Sequence, residues 1–330
     1  FFFKQKTAYD IGTGDWSSDV CSSDLITGFL GSGKTTFLRK YVQYLIQQGH
    51  NVCILENDFG AVNVDAMLLQ DLIGARCDIE TISGGCDCDT HQRRMRTKLI
   101  SMAMRGFDRV VIEPSGIFDV DEFYDILRDE PLDRWYALGN VVAIVDARLE
   151  DTLSPQAEYL LASEAASAGL VVMSRAQQAS RAQAGAVVAH LNRALAACRC
   201  PRRFGDDVLC KDWAALTDAD WERIDRCGWQ QTSYVKLHFD EHEAFTSLYF
   251  LELGRTAEQL QRAARTLLQG AGYGHILRIK GFIPENGGWL ELNAARDAMT
   301  LQPIPNGQEV LIVIGEGLDK AAIEAVVKQL

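Results

Sequence analysis

A glycine-rich loop near the start of the chain has the residue types and spacing needed to bind phosphate. Residues 28–36 read GFLGSGKTT, which matches the pattern G-x-x-x-x-G-K-[ST], and an amphipathic helical pattern follows. In such a loop the backbone N–H groups surround the phosphates, the lysine reaches the β and γ oxygens, and the adjacent hydroxyl binds Mg²⁺. We therefore predict a nucleoside triphosphate site in which Lys34 is catalytic and Thr35 contacts Mg²⁺. The predicted phosphate-binding positions are Gly28, Gly31, Ser32, Gly33, Lys34, Thr35 and Thr36.

The downstream sequence supplies the sheet that such a loop requires. Short apolar runs, among them Val110-Val111-Ile112 and Val141-Val142-Ala143-Ile144-Val145, alternate with helical stretches. This pattern is typical of a buried, mostly parallel sheet flanked by helices in an α/β domain. Because ligands bind at the carboxyl ends of parallel strands, we expect functional side chains there.

Two carboxylates follow predicted strands and are candidate catalytic groups. Glu113 directly follows Val110-Val111-Ile112, as a Walker B acid does, where it would hold Mg²⁺ through water or orient the attacking water. Asp58 lies in the segment Glu56-Asn57-Asp58-Phe59-Gly60 and is a second candidate for that task, while the Gly116 amide would approach the γ-phosphate. For either carboxylate the alternative is a helix cap or a solvated loop charge.

A cluster of potential metal ligands lies between the second and third predicted strands. Residues 83–91 read SGGCDCDTH and place two thiols, a carboxylate and an imidazole within six positions. Such soft and borderline ligands suit Zn²⁺, and three protein ligands with an open fourth position favour metal transfer over permanent structure. The predicted transition-metal ligands are Cys86, Cys88, Asp89 and His91. The alternative is a glycine-rich turn with incidental thiols.

Composition and charge limit the classes of partner. The 330 residues correspond to about two globular domains. A net charge of −12 would repel nucleic acid and anionic lipid, and each apolar run is too short or too interrupted to span a membrane. Nine cysteines without a secretory leader indicate thiols in a reducing compartment, so we expect a cytoplasmic protein with no nucleic-acid or membrane partner.

Residues 1–25 do not match the pattern of the rest of the chain. The string FFFKQKTAYDIGTGDWSSDVCSSDL lacks the features of a signal peptide and any amphipathic period. It resembles translated sequencing-adapter read-through, and the alternative is a natural polar tail. We therefore expect a foreign, disordered segment outside the fold, with only residues 24–27 serving as a stub of the first strand.

From Ile26 onward the sequence resembles the CobW-type metallochaperone GTPases, relatives of the urease and hydrogenase maturation GTPases (CobW/HypB/UreG-like). The resemblance rests on residues 27–36, on residues 56–60 with Val64-Asp65, on Glu113-Pro114-Ser115-Gly116, and on the C-terminal segments 277–282 and 313–315. It implies a P-loop NTPase domain followed by a small α+β domain. It also implies GTP hydrolysis coupled to the binding and transfer of zinc or another transition metal such as cobalt. The expected division is 1–25 foreign, 26–197 nucleotide domain with the metal motif, 198–231 linker, and 232–330 C-terminal domain.

Two departures from the family pattern affect ligand specificity. The family's metal motif is usually G-C-x-C-C, whereas Asp89 stands here in place of the third cysteine, which would harden the site. The family's guanine-reading N-K-x-D segment is replaced by Ser174-Arg175-Ala176-Gln177, in which Ser174 and Gln177 are the candidate base contacts. Because an amide pairs an oxygen acceptor with an N–H donor, guanine discrimination should be weaker than with Asp, so GTP is expected and ATP stays open.

The leading hypothesis is a Mg²⁺-dependent GTPase that delivers a transition metal to a client metalloprotein. Two other classes stay open: a P-loop ATPase or kinase, and a nucleotide sensor without turnover or metal transfer. The sequence identifies neither the client nor the metal. It also leaves a nucleotide-dependent homodimer open.

Overall fold

The computed structural model describes residues 20–58, 64–83, 88–115, 120–237, 244–285, 287–296 and 298–329. The chain divides into two units, one of residues 1–59 and 69–237 and the other of residues 60–68 and 238–330. None of the helices in the described ranges is long and apolar enough to cross a bilayer.

Strands and helices alternate along the described part of the first unit. Its strands are β1 Cys21–Thr27, β2 Val52–Asp58, β3 Cys77–Ser83, β4 Arg109–Glu113, β5 Tyr136–Asp146, β6 Leu170–Ser174 and β7 Val208–Leu209. Its helices are α1 Lys34–Gln47, α3 Cys88–Arg105, α4 Val120–Arg128, α5 Leu132–Trp135, α6 Pro155–Ala166, α7 Arg181–Ala197 and α8 Asp218–Asp225. Helix α2 Val64–Leu69 lies between β2 and β3 in sequence, and all of it except Leu69 belongs to the second unit.

The seven strands form one parallel sheet in the order β3-β2-β4-β1-β5-β6-β7. Adjacent residues of a strand point to opposite faces, and here both faces are buried. Leu25 belongs to the hydrophobic cluster on one face, and Ile26 belongs to the cluster on the other. The runs of apolar residues therefore predicted the parallel sheet correctly, and the expected α/β class is confirmed.

The first strand begins earlier than the sequence indicated. β1 starts at Cys21, and Cys21–Leu25 pair with β4 and β5, although they belong to the segment set apart as foreign. Asp24, the most polar of these residues, is fully buried in the strand. Its burial is tolerated because its carboxylate pairs with Arg109 and accepts hydrogen bonds from that guanidinium. Burial raises the pKa of Asp24, and the guanidinium of Arg109 opposes that shift. Residues 1–19 lie outside the described part of the chain.

The predicted linker is a folded part of the first unit. Residues 198–231 contain β7 and α8, and Ile224 of α8 is fully buried in the cluster that also holds Phe37. The prediction of a linker was therefore wrong, because α7 ends at Ala197 while the domain continues. Residues 232–237, assigned to the second domain, also belong to the first unit.

The second unit is an antiparallel sheet with helices on one face. Its elements are β8 Thr246–Leu251, α9 Ala257–Gln269, β9 His275–Glu285, β10 Gly288–Ala295, β11 Ala298–Ile304, β12 Val310–Glu316 and α10 Lys320–Lys328. The strand order is β11-β10-β9-β12-β8, and helices α9 and α10 contribute Leu260 and Ile323 to a core with Ile279 and Val313. This confirms the expected small α+β domain.

Candidate functional site

The glycine-rich loop connects the end of β1 to the start of α1 at the carboxyl edge of the parallel sheet. Gly28, Gly31 and Gly33 have φ values of 141°, 77° and 102°, a region that side chains other than glycine rarely adopt. A Cβ on Gly28 would lie 2.3 Å from the Ile144 carbonyl oxygen of β5. The first glycine is therefore required both by its backbone conformation and by the close approach of the neighbouring strand.

Lys34 and Thr35 occupy the first turn of α1, where the helix dipole favours bound phosphate. The Lys34 ammonium donates a 2.7 Å hydrogen bond to the Gly28 carbonyl, so the side chain folds across the loop that it would share with phosphate. The side chains of Lys34, at 8% exposure, and Ser32 are buried, whereas Thr36 is exposed. The loop thus brings the predicted phosphate-binding residues together.

The Thr35 hydroxyl and Glu113 form the part of the site suited to Mg²⁺. Thr35 Oγ1 donates a 2.9 Å hydrogen bond to Glu113 Oε1, which joins the loop to the end of β4. A hydroxyl beside a buried carboxylate supplies the oxygen ligands that a hard divalent cation prefers. The residues present therefore fit the predicted Mg²⁺ contact. In the β2–β4 register Glu56 lies opposite Glu113, and both are buried, which concentrates acidic groups at this edge.

Arg175 is a site residue that the sequence analysis did not identify. Its guanidinium donates to the Gly31 carbonyl at 3.3 Å and to the Asp146 carboxylate at the end of β5. Arg175 has φ 53°, a left-handed conformation that turns the chain directly after β6. The arginine therefore ties the end of β5 to the middle of the phosphate loop. An arginine inside a degenerate base motif was the signal available for it.

The two predicted base contacts, Ser174 and Gln177, differ in their exposure to solvent. Ser174 is 2% exposed, and its Cβ lies 3.6 Å from the position of a Cβ on Gly33, so it borders the phosphate loop. Gln177 lies in a short 3₁₀ turn and is exposed. The Trp213 ring approaches the same glycine position at 3.3 Å, and its indole N–H donates to the Met173 carbonyl. The segment predicted as linker therefore forms one wall beside the loop.

Several predicted residues lie wholly or partly outside the described structure. Cys86 and Gly116 are outside it, and the side chains of Asp58, Cys88 and Asp89 are not among those described. Cys88 begins α3 and Asp89 follows it in the first turn. Among the side chains that are described, no group of three or more His, Cys, Asp and Glu is arranged to hold a metal ion. The Cys86/Cys88 site stays a prediction.

His91, the fourth predicted metal ligand, contacts Asn57 at the end of β2. Its Nε2 lies 2.6 Å from Asn57 Oδ1, and each residue is 3% exposed. The structure therefore connects α3, the helix of the metal motif, directly to the end of β2, within the segment 56–60 on which the family resemblance rests. A second contact that the sequence did not reveal is the 3.4 Å hydrogen bond from Thr27 Oγ1 to the buried Glu164 of α6.

Profiles of two domain families match most of the chain. The profile described as "CobW/HypB/UreG, nucleotide-binding domain" matches residues 23–200, and the one described as "Cobalamin synthesis protein cobW C-terminal domain" matches residues 251–330. The first match covers more than half of the chain and contains the phosphate loop, Glu113 and the predicted metal motif.

Curated relatives align over shorter regions. The zinc chaperone YjiA of Escherichia coli is 35% identical over 133 residues, which cover 37% of this chain and 39% of the relative. A zinc-regulated GTPase metalloprotein activator 1 of Schizosaccharomyces pombe is 28% identical over 158 residues, covering 46% of this chain and 38% of that protein. These alignments span about two fifths of the length of the relatives.

Solved structures cover more of the chain at lower identity. The zinc-bound YjiA GTPase from E. coli is 20% identical, covers 94% of this chain and 99% of its own, and has a TM-score of 0.35. The hydrogenase maturation factor HypB from Archaeoglobus fulgidus is 15% identical, covers 62% and 86%, and has a TM-score of 0.38.

Proposed function

The chain belongs to the CobW/HypB/UreG family, and from that membership we propose that it hydrolyses GTP and uses the nucleotide cycle to bind and deliver zinc to a client metalloprotein. The observation that carries the proposal is the Thr35–Glu113 hydrogen bond, because a hydroxyl and a buried carboxylate side by side at the phosphate loop have the chemistry that Mg²⁺-dependent hydrolysis requires. Relatives described as zinc chaperones and as a GTPase metalloprotein activator support the coupling to zinc.

The residues of the nucleotide site have distinct tasks in the proposed hydrolysis. Lys34 leaves the Gly28 carbonyl and neutralises charge on the β and γ oxygens, while the loop amides hold the phosphate chain. Glu113 orients the water that attacks the γ-phosphorus, with Asp58 as a second candidate. Thr35 and Glu113 would hold Mg²⁺, which would offset the negative charge of the phosphates. Arg175 keeps the loop fixed through Gly31, so the phosphates meet a preformed site.

GTP is the nucleotide expected from the family, and the residues of the base motif leave ATP open as well. Ser174 lies beside the loop, and Gln177 offers one carbonyl acceptor with an N–H donor, whereas a carboxylate would offer two acceptors to guanine. Binding of GTP and ATP should therefore differ less than in a protein with an aspartate at this position.

The test of hydrolysis is multiple-turnover phosphate release by the full chain with GTP and with ATP. Lys34→Ala should abolish it, and Lys40→Ala, the same charge change on the same helix, is the matched control and should retain it. Transfer of labelled γ-phosphate to a protein or small molecule would instead indicate a kinase. Tight nucleotide binding without turnover would indicate a sensor, and either result would contradict the GTPase proposal.

The metal part is tested on the same protein by zinc competition against a chromogenic chelator. The proposed ligands Cys86 and Cys88 predict that the double variant Cys86→Ser/Cys88→Ser loses zinc affinity while keeping nucleotide binding in metal-free buffer. The control is Cys53→Ser combined with Cys77→Ser, two thiols buried in the sheet. Equal zinc affinity in the Cys86/Cys88 variant would place the metal elsewhere.

A further inference from the structure

The contact between His91 and Asn57 joins two elements that the proposed function requires to communicate. Asn57 is the penultimate residue of β2, and His91 is the fourth residue of α3, the helix that begins at Cys88. Nε2 and Oδ1 are 2.6 Å apart, and neither residue is more than 3% exposed. A short, buried hydrogen bond between residues 34 positions apart therefore ties the first turn of α3 to the end of the strand.

The direction of this hydrogen bond argues against a metal on the same nitrogen. An amide oxygen only accepts, so His91 Nε2 must donate. Nε2 then has no lone pair for zinc, which leaves Nδ1 as the ring nitrogen that could bind a metal. The contact thus gives His91 a structural task that does not depend on metal binding.

The strand end that His91 contacts adjoins the nucleotide site. Glu56, one residue before Asn57, lies opposite Glu113 in the β2–β4 register. Glu113 in turn accepts the hydrogen bond of Thr35 in the phosphate loop. Contiguous contacts therefore lead from the loop through β4 and β2 to α3, all within the first unit.

We infer that His91 is a positioning residue: through Asn57 it fixes the first turn of α3 to the end of β2, so that a nucleotide-dependent change at that strand end alters zinc affinity. The inference rests on the proposed function, since it names the residue pair that couples the nucleotide state to zinc affinity. It predicts that replacing either His91 or Asn57 makes zinc affinity independent of the bound nucleotide, while zinc binding itself persists.

The test is a double-mutant cycle on the full chain with His91→Phe, Asn57→Leu and both changes together. Zinc affinity is measured with GTP·Mg²⁺, with GDP·Mg²⁺ and without nucleotide. In the unmodified protein the GTP and GDP affinities should differ about 5- to 150-fold, the usual range of coupling. Each single variant should reduce this ratio towards one, the double variant should reduce it no further, and zinc affinity without nucleotide should stay within about threefold. His91→Gln, which retains an N–H donor, should restore part of the ratio.

The matched control is His190→Phe. His190 is also buried, at 4% exposure, and its Nε2 lies 2.6 Å from Glu158 of α6, so the change removes a comparable contact from α7. This variant should retain the full ratio. A His91→Phe protein that also keeps the full ratio would overturn the inference. So would a zinc affinity lowered tenfold or more in all three states by His91→Phe but not by Asn57→Leu, because that pattern identifies a ligand.

Failure of the proposed function gives a different result. If the unmodified protein binds zinc equally in both nucleotide states, the coupling is absent, and the positioning role is decided by amide hydrogen exchange. His91→Phe and Asn57→Leu should then each accelerate exchange in the first turns of α3 relative to His190→Phe. Unchanged exchange there would overturn the positioning role as well.

Discussion

Thr35 Oγ1 donates a 2.9 Å hydrogen bond to Glu113 Oε1, which couples the first turn of α1 to the end of β4. Because the carboxylate is 5% exposed and next to the loop, it is placed to orient water or to hold hydrated Mg²⁺. The contact thus brings together two residues that were predicted separately from the sequence.

Replacing that carboxylate should slow hydrolysis much more than it weakens binding. For Glu113→Gln we expect kcat for GTP to fall by about 10²- to 10⁴-fold, the range lost with a general acid or base. Affinity for a fluorescent GTP analogue should change little, because the loop amides and Lys34 still hold the phosphates. The exposed change Glu130→Gln is the control. A Glu113→Gln protein with full turnover would remove Glu113 from the mechanism.

Arg175 should support both the loop and the nucleotide. Arg175→Ala removes hydrogen bonds to Gly31 and Asp146 and should lower the free energy of unfolding by about 1.5–3 kcal/mol. Nucleotide affinity should fall with it because the loop loses an anchor. Urea unfolding and nucleotide titration measure the two effects, and Arg181→Ala, an exposed arginine at the start of α7, should change stability by no more than about 0.5 kcal/mol. Unchanged nucleotide affinity in Arg175→Ala would show that the loop needs no such anchor.

The buried charge pair in β1 should be a major determinant of stability. Asp24→Ala leaves Arg109, which is 13% exposed, with one carboxylate, Asp225, to balance its charge, and should cost about 3–5 kcal/mol of unfolding free energy. The control Asp78→Ala breaks a pair with Arg105 in which both side chains are more than a third exposed, and should cost about 0–1 kcal/mol. Equal losses in the two variants would mean that Asp24 is not buried in the folded protein.

Thiol reactivity should follow burial. Burial raises the pKa of Cys77 to about 11 and that of Cys227 to about 12, so both are thiols, not thiolates, at pH 7.5. Since only the thiolate is nucleophilic, iodoacetamide should modify the exposed Cys210 well before either of them. Reaction of all three should accelerate as pH rises towards 9, and their rates should converge in urea. Mass spectrometry locates the modified residues, and rapid labelling of native Cys77 would contradict the packing of β3.

Much of the nucleotide site was predictable because its determinants are local in sequence. The spacing of Gly28, Gly33 and Lys34 encodes the turn, the positive φ angles and the helix start within a few residues. The apolar run before Glu113 likewise indicated a buried strand with a polar end. These features depend little on the rest of the fold.

The remaining features depend on contacts between distant residues. Arg175 meets Gly31 across 144 positions, and no spacing rule relates them. The start of β1 was missed because Asp24 is polar in sequence, and the groups that make its burial tolerable, Arg109 and the Asn140 N–H, are 85 and 116 residues away. His91 was assigned by its distance from Cys88, whereas its contact with Asn57 depends on how α3 packs against β2.

The most direct test of the central proposal, that nucleotide state controls metal affinity, is the zinc affinity of the full chain with GTP·Mg²⁺, with GDP·Mg²⁺ and without nucleotide. Linkage requires the affinities to differ if the nucleotide drives metal handling, by about 1–3 kcal/mol in typical systems. The account predicts such a difference and predicts that it disappears in Cys86→Ser/Cys88→Ser. Identical zinc affinities in all three states, or no zinc binding at all, would contradict it.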